Sequence, residues 1–168
     1  LTLGPLVSAV AAGNTAVVKP SELTPNLSRL IAEVISDVFS EDEVAVFEGD
    51  AQLAQSLQSL PFDHLFFTGS PAVGRQVMAA AAQHLTSVTL ELGGKSPTIV
   101  DASADLKLAA RNILWAKLAN AGQTCIAPDH VYVHHSVKDR WVQHCREELE
   151  AAFGENLTQQ QNSPHLAR

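Results

Sequence analysis

The chain has 168 residues, 46% of them hydrophobic and 17% charged, with a formal net charge of −7 and a sequence pI near 5.4. That length suits one domain of ordinary size or parts of two. No basic stripe with interleaved aromatics is present, which argues against a nucleic-acid partner, and no apolar run nears the roughly 20 residues of a membrane span. In chain order, the apolar stretch Leu3 to Ala12 reads as a buried helix closed by Gly13-Asn14. The β-branched run Thr15 to Lys19 reads as a strand. Thr24 as N-cap and Pro25 at the first helical position open a helix in which Leu27, Leu30, Ile31, Val34, Ile35 and Val38 recur at helical spacing. Val44 to Phe47 is a second strand, and Asp50 caps a helix reaching about Leu60. His64 to Thr68 is a third strand, and Ser70-Pro71 starts a helix reaching about His84. Further strands are expected at Val88–Leu92, Thr98–Val100 and His130–His134, with helices from Asp105 to about Asn120 and from Val137 to Phe153. The polar, Gln-rich tail from Glu155 to Arg168 reads as poorly ordered. Strands alternating with helices point to an α/β fold with an open parallel sheet covered on both faces.

Four segments carry chemistry. In Phe67-Thr68-Gly69-Ser70-Pro71-Ala72-Val73-Gly74 a strand runs through a glycine turn directly into a helix start. The first amides of that helix lack intrahelical partners and sit at the positive end of its dipole, so a phosphate is welcome at Gly69 and Ser70. An ordinary capped helix explains the same residues, because the three-glycine dinucleotide fingerprint is absent. Lys19-Pro20-Ser21-Glu22 follows the first strand at its carboxyl end, where open α/β sheets bind ligands, and could hold ribose hydroxyls or simply form a solvated turn. Glu91 interrupts an apolar strand: buried, it would be raised toward the range of a general base, and on the edge it would only face water. Cys125, in Gly122-Gln123-Thr124-Cys125, stands in a loop with small neighbours, an arrangement suited to a thiolate nucleophile with a backbone oxyanion donor. Cys145 lies in a helical pattern near Trp141 and Leu149 and reads as a small buried hydrophobe. Two cysteines in such different contexts favour a reducing, cytoplasmic setting over a disulfide.

Taken together and in order, Lys19-Pro-Ser-Glu, Phe67-Thr-Gly-Ser, Leu90-Glu-Leu-Gly-Gly-Lys-Ser-Pro and Gly122-Gln-Thr-Cys resemble the aldehyde dehydrogenases. The 34 positions between Glu91 and Cys125 agree with that family. Pro97 and Ala127-Pro128-Asp129 resemble the branch of dimeric enzymes for medium-chain and aromatic aldehydes, including coniferyl aldehyde dehydrogenases. The resemblance implies a Rossmann-like cofactor domain over residues 1–93 and the beginning of a second α/β catalytic domain over 94–168. It implies Cys125 as nucleophile and Glu91 as general base. Lys19 and Glu22 would hold the adenosine ribose, with Thr68, Gly69, Ser70, Val73, Gly74 and Leu92 completing the cofactor site. The implied cofactor is NAD, with NADP possible, the substrate a small-molecule aldehyde, the parent protein a cytoplasmic homodimer, and no metal is called for. The family's Pro-Trp-Asn-Tyr-Pro-type segment, with its second oxyanion donor, would precede Leu1, and its Glu-Ile-Phe-Gly-Pro segment would follow residue 168, so the chain reads as a piece of a longer protein. A cofactor-binding module without activity, a thiol hydrolase and a CoA-acylating dehydrogenase are the competing expectations. Glu91 argues against the last.

Overall fold

The computed structural model describes residues 1–167, which form two compact units, one over Leu1–Leu92 and the other from Gly93 onward. The first unit runs α1 (Leu3–Ala11), β1 (Ala16–Val18), α2 (Pro25–Val38), β2 (Val44–Val46), α3 (Ala51–Gln58), β3 (His64–Thr68), α4 (Pro71–Ala82) and β4 (Ser87–Glu91). The second runs β5 (Pro97–Val100), α5 (Leu106–Leu118), a 3-10 turn (Ala119–Gly122), β6 (His130–Val133), α6 (Lys138–Phe153) and α7 (Leu157–Gln161).

All three strand pairs are parallel, as helical crossovers between successive strands require. In the first unit β1 lies on β2 from Ala16↔Val44 to Val18↔Val46, and β3 lies on β4 from His64↔Ser87 to Thr68↔Glu91. The expected continuous sheet is therefore present as two pairs. β1 pairs with β2 and β3 with β4, and among the described residues of this unit no ladder joins β2 to β3.

Leu6, Val18, Ile35 and Val44 bury together, one from each of α1, β1, α2 and β2, and Val10, Ile31 and Phe39 pack around them. Only part of the apolar stripe of α2 is used: Ile35 is 2% exposed, whereas Leu27, Leu30, Val34 and Val38 stand open. The stripe is wider than a two-stranded pair can cover. Thr24 does not cap α2 with its side chain, although Pro25 does open the helix; the Thr24 hydroxyl instead reaches the Ser21 carbonyl, as does that of Ser28. Asp50 does cap α3, accepting from the amides of Gln52 and Leu53 at 2.9 and 3.2 Å. Helix α4 seats itself through Val77 and Ala81, which are 1% and 2% exposed.

In the second unit β5 lies on β6 from Pro97↔His130 to Val100↔Val133. Val100, Leu106 and Val137 form its core, with Ile113, Val131, Val133 and Trp141 packed around them. The alternation of the strands puts Ile99 and Tyr132 on the opposite, exposed face. The tail departs from its polar composition: Gly154, at φ 111°, ends α6, and the Asn156 side chain accepts from the Gln159 amide at 3.0 Å to start α7. Local capping chemistry outweighs composition there. Arg168 lies outside the described residues.

Candidate active site

In the first unit, the residues read as cofactor-binding follow the carboxyl ends of strands: Lys19 and Glu22 come after β1, Thr68 to Ser70 at the end of β3, and Leu92 after β4. Lys19 follows β1 directly, and its ammonium donates to the carbonyls of Gly49 (2.8 Å) and Pro20 (2.9 Å) and to Glu22 Oε2 (3.0 Å). These three acceptors fix the half-buried side chain between the ends of β1 and β2. The Glu22 carboxyl is held below the usual glutamate range by a hydrogen bond with its own backbone and then by Lys19. It is about half exposed and ionised at neutral pH, so it can accept from hydroxyl groups.

The turn between β3 and α4 is built by Thr68, Gly69 and Ser70. The Ser70 Oγ accepts from the Val73 amide at 3.3 Å and so caps α4, leaving its own proton free to be donated. Gly69 supplies no donor, because its N–H extends the β3–β4 ladder to the Glu91 carbonyl at 3.0 Å. Gly74 is buried, and a Cβ there would come within 3.0 Å of the Leu92 side chain and 3.7 Å of Leu90. Its bareness therefore lets α4 lie close to β4 and sets where Ser70 and Val73 stand. Glu91 is exposed at the end of β4, opposite Thr68 in the register. Of the two sequence readings, the exposed one is what this unit shows.

In the second unit Cys125 is exposed and both cysteines are free. Its loop is entered through Asn120, Ala121 and Gly122 at φ 52°, 52° and 78°. Two consecutive non-glycine residues in the left-handed region are costly, and such conformations cluster at functional sites. Asn120 and Gln123 stabilise the turn reciprocally: the Asn120 side-chain amide donates to the Gln123 carbonyl at 3.2 Å, and that of Gln123 to the Asn120 carbonyl at 3.3 Å. Beyond the cysteine, the Ala127 amide donates to the Thr124 carbonyl and the Asp129 amide to the Ser96 carbonyl, both at 3.0 Å. Lys95 lies 3.5 Å from Asp129. Sequence reasoning missed this tie between the Gly94–Ser96 stretch and the cysteine loop; the Gly93-Gly94 pair was the one signal of it. Cys145 is half buried, and desolvation pushes its thiol up, in keeping with a packing role.

The aldehyde dehydrogenase family profile matches residues 1–165. A putative aldehyde dehydrogenase, AldX, of Bacillus subtilis is 53% identical over 93% of this chain and 35% of its own length. The chain belongs to the aldehyde dehydrogenase family. A probable coniferyl aldehyde dehydrogenase of Pseudomonas aeruginosa is 48% identical over 91% of this chain and 32% of its own. The solved structure of Staphylococcus aureus AldH in its substrate-bound state superposes with a TM-score of 0.90 at 47% identity, covering 99% of this chain and 36% of that one. Among the aldehyde dehydrogenases of similar fold is a betaine aldehyde dehydrogenase solved in complex with NAD+, at 31% identity. The chain spans about a third of the length of these relatives. No helix among the described residues is long and apolar enough to cross a membrane.

Proposed function

We propose that this chain forms the cofactor-binding and nucleophile-bearing part of an enzyme that oxidises an aldehyde to the carboxylic acid with NAD, residues 1–93 belonging to a Rossmann-like domain and 94–168 to the catalytic domain. The observation that carries the proposal is the exposed Cys125 thiol on a loop held by a left-handed turn, in a chain of this family. Cys125 attacks the aldehyde carbon to give a thiohemiacetal, with its own backbone N–H as an oxyanion donor. The residues of the first unit suit a dinucleotide: Lys19 orients the ionised Glu22 toward a ribose diol, and the Ser70 hydroxyl and the start of α4 receive the diphosphate. Val73 would meet the adenine, and Thr68, Gly69, Gly74 and Leu92 would complete the site. The bound nicotinamide would supply a hydride acceptor, and the Cys125 adduct, on giving up hydride, becomes a thioester. Glu91 takes a proton from the water that hydrolyses this thioester, releasing the acid and the free thiol. A 2′-phosphate meets the Glu22 charge, which favours NAD over NADP.

The identity to a probable coniferyl aldehyde dehydrogenase supports an aromatic aldehyde as substrate; a medium-chain aldehyde, and a cytoplasmic homodimer as the parent, rest on the motif resemblance alone. A second reading is favoured by the share of the relatives' length that the chain covers: by itself it is a cofactor-binding module without turnover. Calorimetric titration of the chain with NAD, beside a Ser70→Trp variant, tests the cofactor site. Saturable binding lost in the variant is expected; binding that survives Ser70→Trp would place the dinucleotide elsewhere.

A further inference from the structure

Gly93 and Gly94 are adjacent, and neither has the positive φ that would demand glycine for its backbone. What surrounds them differs. A Cβ on Gly93 would meet nothing within 4 Å. A Cβ on Gly94 would stand 2.7 Å from the Cys125 carbonyl oxygen and 3.9 Å from its carbonyl carbon, with Ser96 Oγ at 3.5 Å. The first distance is well inside contact, and the obstacle is backbone, which cannot swing aside as a side-chain tip does. Both strands of this contact are tied down nearby. The Ser96 carbonyl accepts from the Asp129 amide, and the Ala127 amide closes onto Thr124. Upstream, the Asn120–Gly122 turn fixes the entry. The Cys125 peptide therefore lies between segments that are tied on either side of it, and its carbonyl faces the bare Cα of Gly94.

We propose that Gly94 is a positioning residue: by having no side chain it seats the Cys125 carbonyl, and so fixes the direction of the Cys125 thiol and amide. The functional weight of this rests on the reading of Cys125 as nucleophile. A displacement on the order of 1 Å at a reacting centre costs about a hundredfold in rate, so a single methyl group at position 94 suffices to matter.

The test compares Gly94→Ala with Gly93→Ala in the chain. Iodoacetamide labelling of Cys125 is followed across pH by peptide mass spectrometry, with Cys145 as internal reference. Gly94→Ala is expected to change the Cys125 rate by roughly tenfold or more and alter its pH profile, with Cys145 within about twofold of the parent and Gly93→Ala silent at both thiols. Equal behaviour of the two variants at Cys125 would overturn the proposal. If Gly94→Ala also accelerates Cys145, the unit has opened, and the comparison is repeated in an Ile126→Gly background. Ile126 is 78% exposed, and glycine there lets the carbonyl turn away. A refolded unit whose Cys125 rate still departs from that of Ile126→Gly alone supports the seat. A unit that stays open gives Gly94 to the fold rather than to the thiol and overturns it. Failure of the nucleophile reading shows separately, as aldehyde oxidation by the whole protein that survives Cys125→Ala.

Discussion

Cys125 and Cys145 belong to the same unit yet present opposite environments, one thiol exposed and the other half buried with its ionisation opposed by desolvation. Alkylation at about pH 8 is expected to modify Cys125 at least roughly tenfold faster, and equal rates by peptide mapping would contradict the assignment of their roles. Glu22 offers a second check. Its folded-state pKa is depressed, so it stabilises the fold above its unfolded pKa, and that contribution is lost as the pH falls through the lower folded value. Glu22→Gln is therefore expected to flatten the acid limb of the stability profile in urea melts between those two values and to leave neutral stability within about 0.5 kcal/mol, since exposed pairs contribute little. An unchanged acid limb would show that neither the backbone hydrogen bond nor the Lys19 contact holds the carboxylate in solution. At this scale the sequence made the lysine, glutamate, serine and cysteine legible through their places after strands and at a helix start. It could not show the Gly49 carbonyl that anchors Lys19, because that partner lies 30 positions away and is backbone.

Element boundaries were legible wherever the signal is local chemistry. Asp50, Ser70 and Asp105 each cap the helix they precede, accepting from amides two or three residues on. Thr24 misleads because its hydroxyl finds the Ser21 carbonyl first. The end of α4 was harder to read. Leu85 adopts φ 57° and is 93% exposed, while the Thr86 amide reaches back to the Ala81 carbonyl at 3.0 Å. This is a Schellman closure with leucine where glycine is usual. Leu85→Gly is expected to stabilise the first unit by roughly 0.5–1 kcal/mol, since relief of the left-handed strain outweighs the added chain entropy and no packed side chain is lost. A destabilised variant in denaturant melts would show that the leucine makes contacts in solution. The opposite experiment is Val77→Ala in the same helix. That side chain is almost fully buried, and its loss is expected to cost about 1.5–3 kcal/mol; a cost under about 0.5 would mean that α4 is not seated as described.

Across the whole molecule, the alternation of strand and helix made the α/β class and the parallel pairing legible, and the four ordered motifs made the family legible. The division into strand pairs was not, because a hydrophobic run announces a strand but not which neighbours it will have. How much of the apolar face of α2 is covered was not legible either: helical periodicity marks a face as apolar without saying how much of it this chain buries. In the proposed reaction Cys125 carries the acyl group and Glu91 activates the water that releases it. The most direct measurement of this is intact-protein mass spectrometry of the whole enzyme bearing Glu91→Gln, after mixing with NAD and an aromatic aldehyde. One acyl group per chain, mapped to Cys125 and formed with one equivalent of NADH, is the expected result. Steady turnover with no adduct, or an adduct on Cys145, would contradict the account.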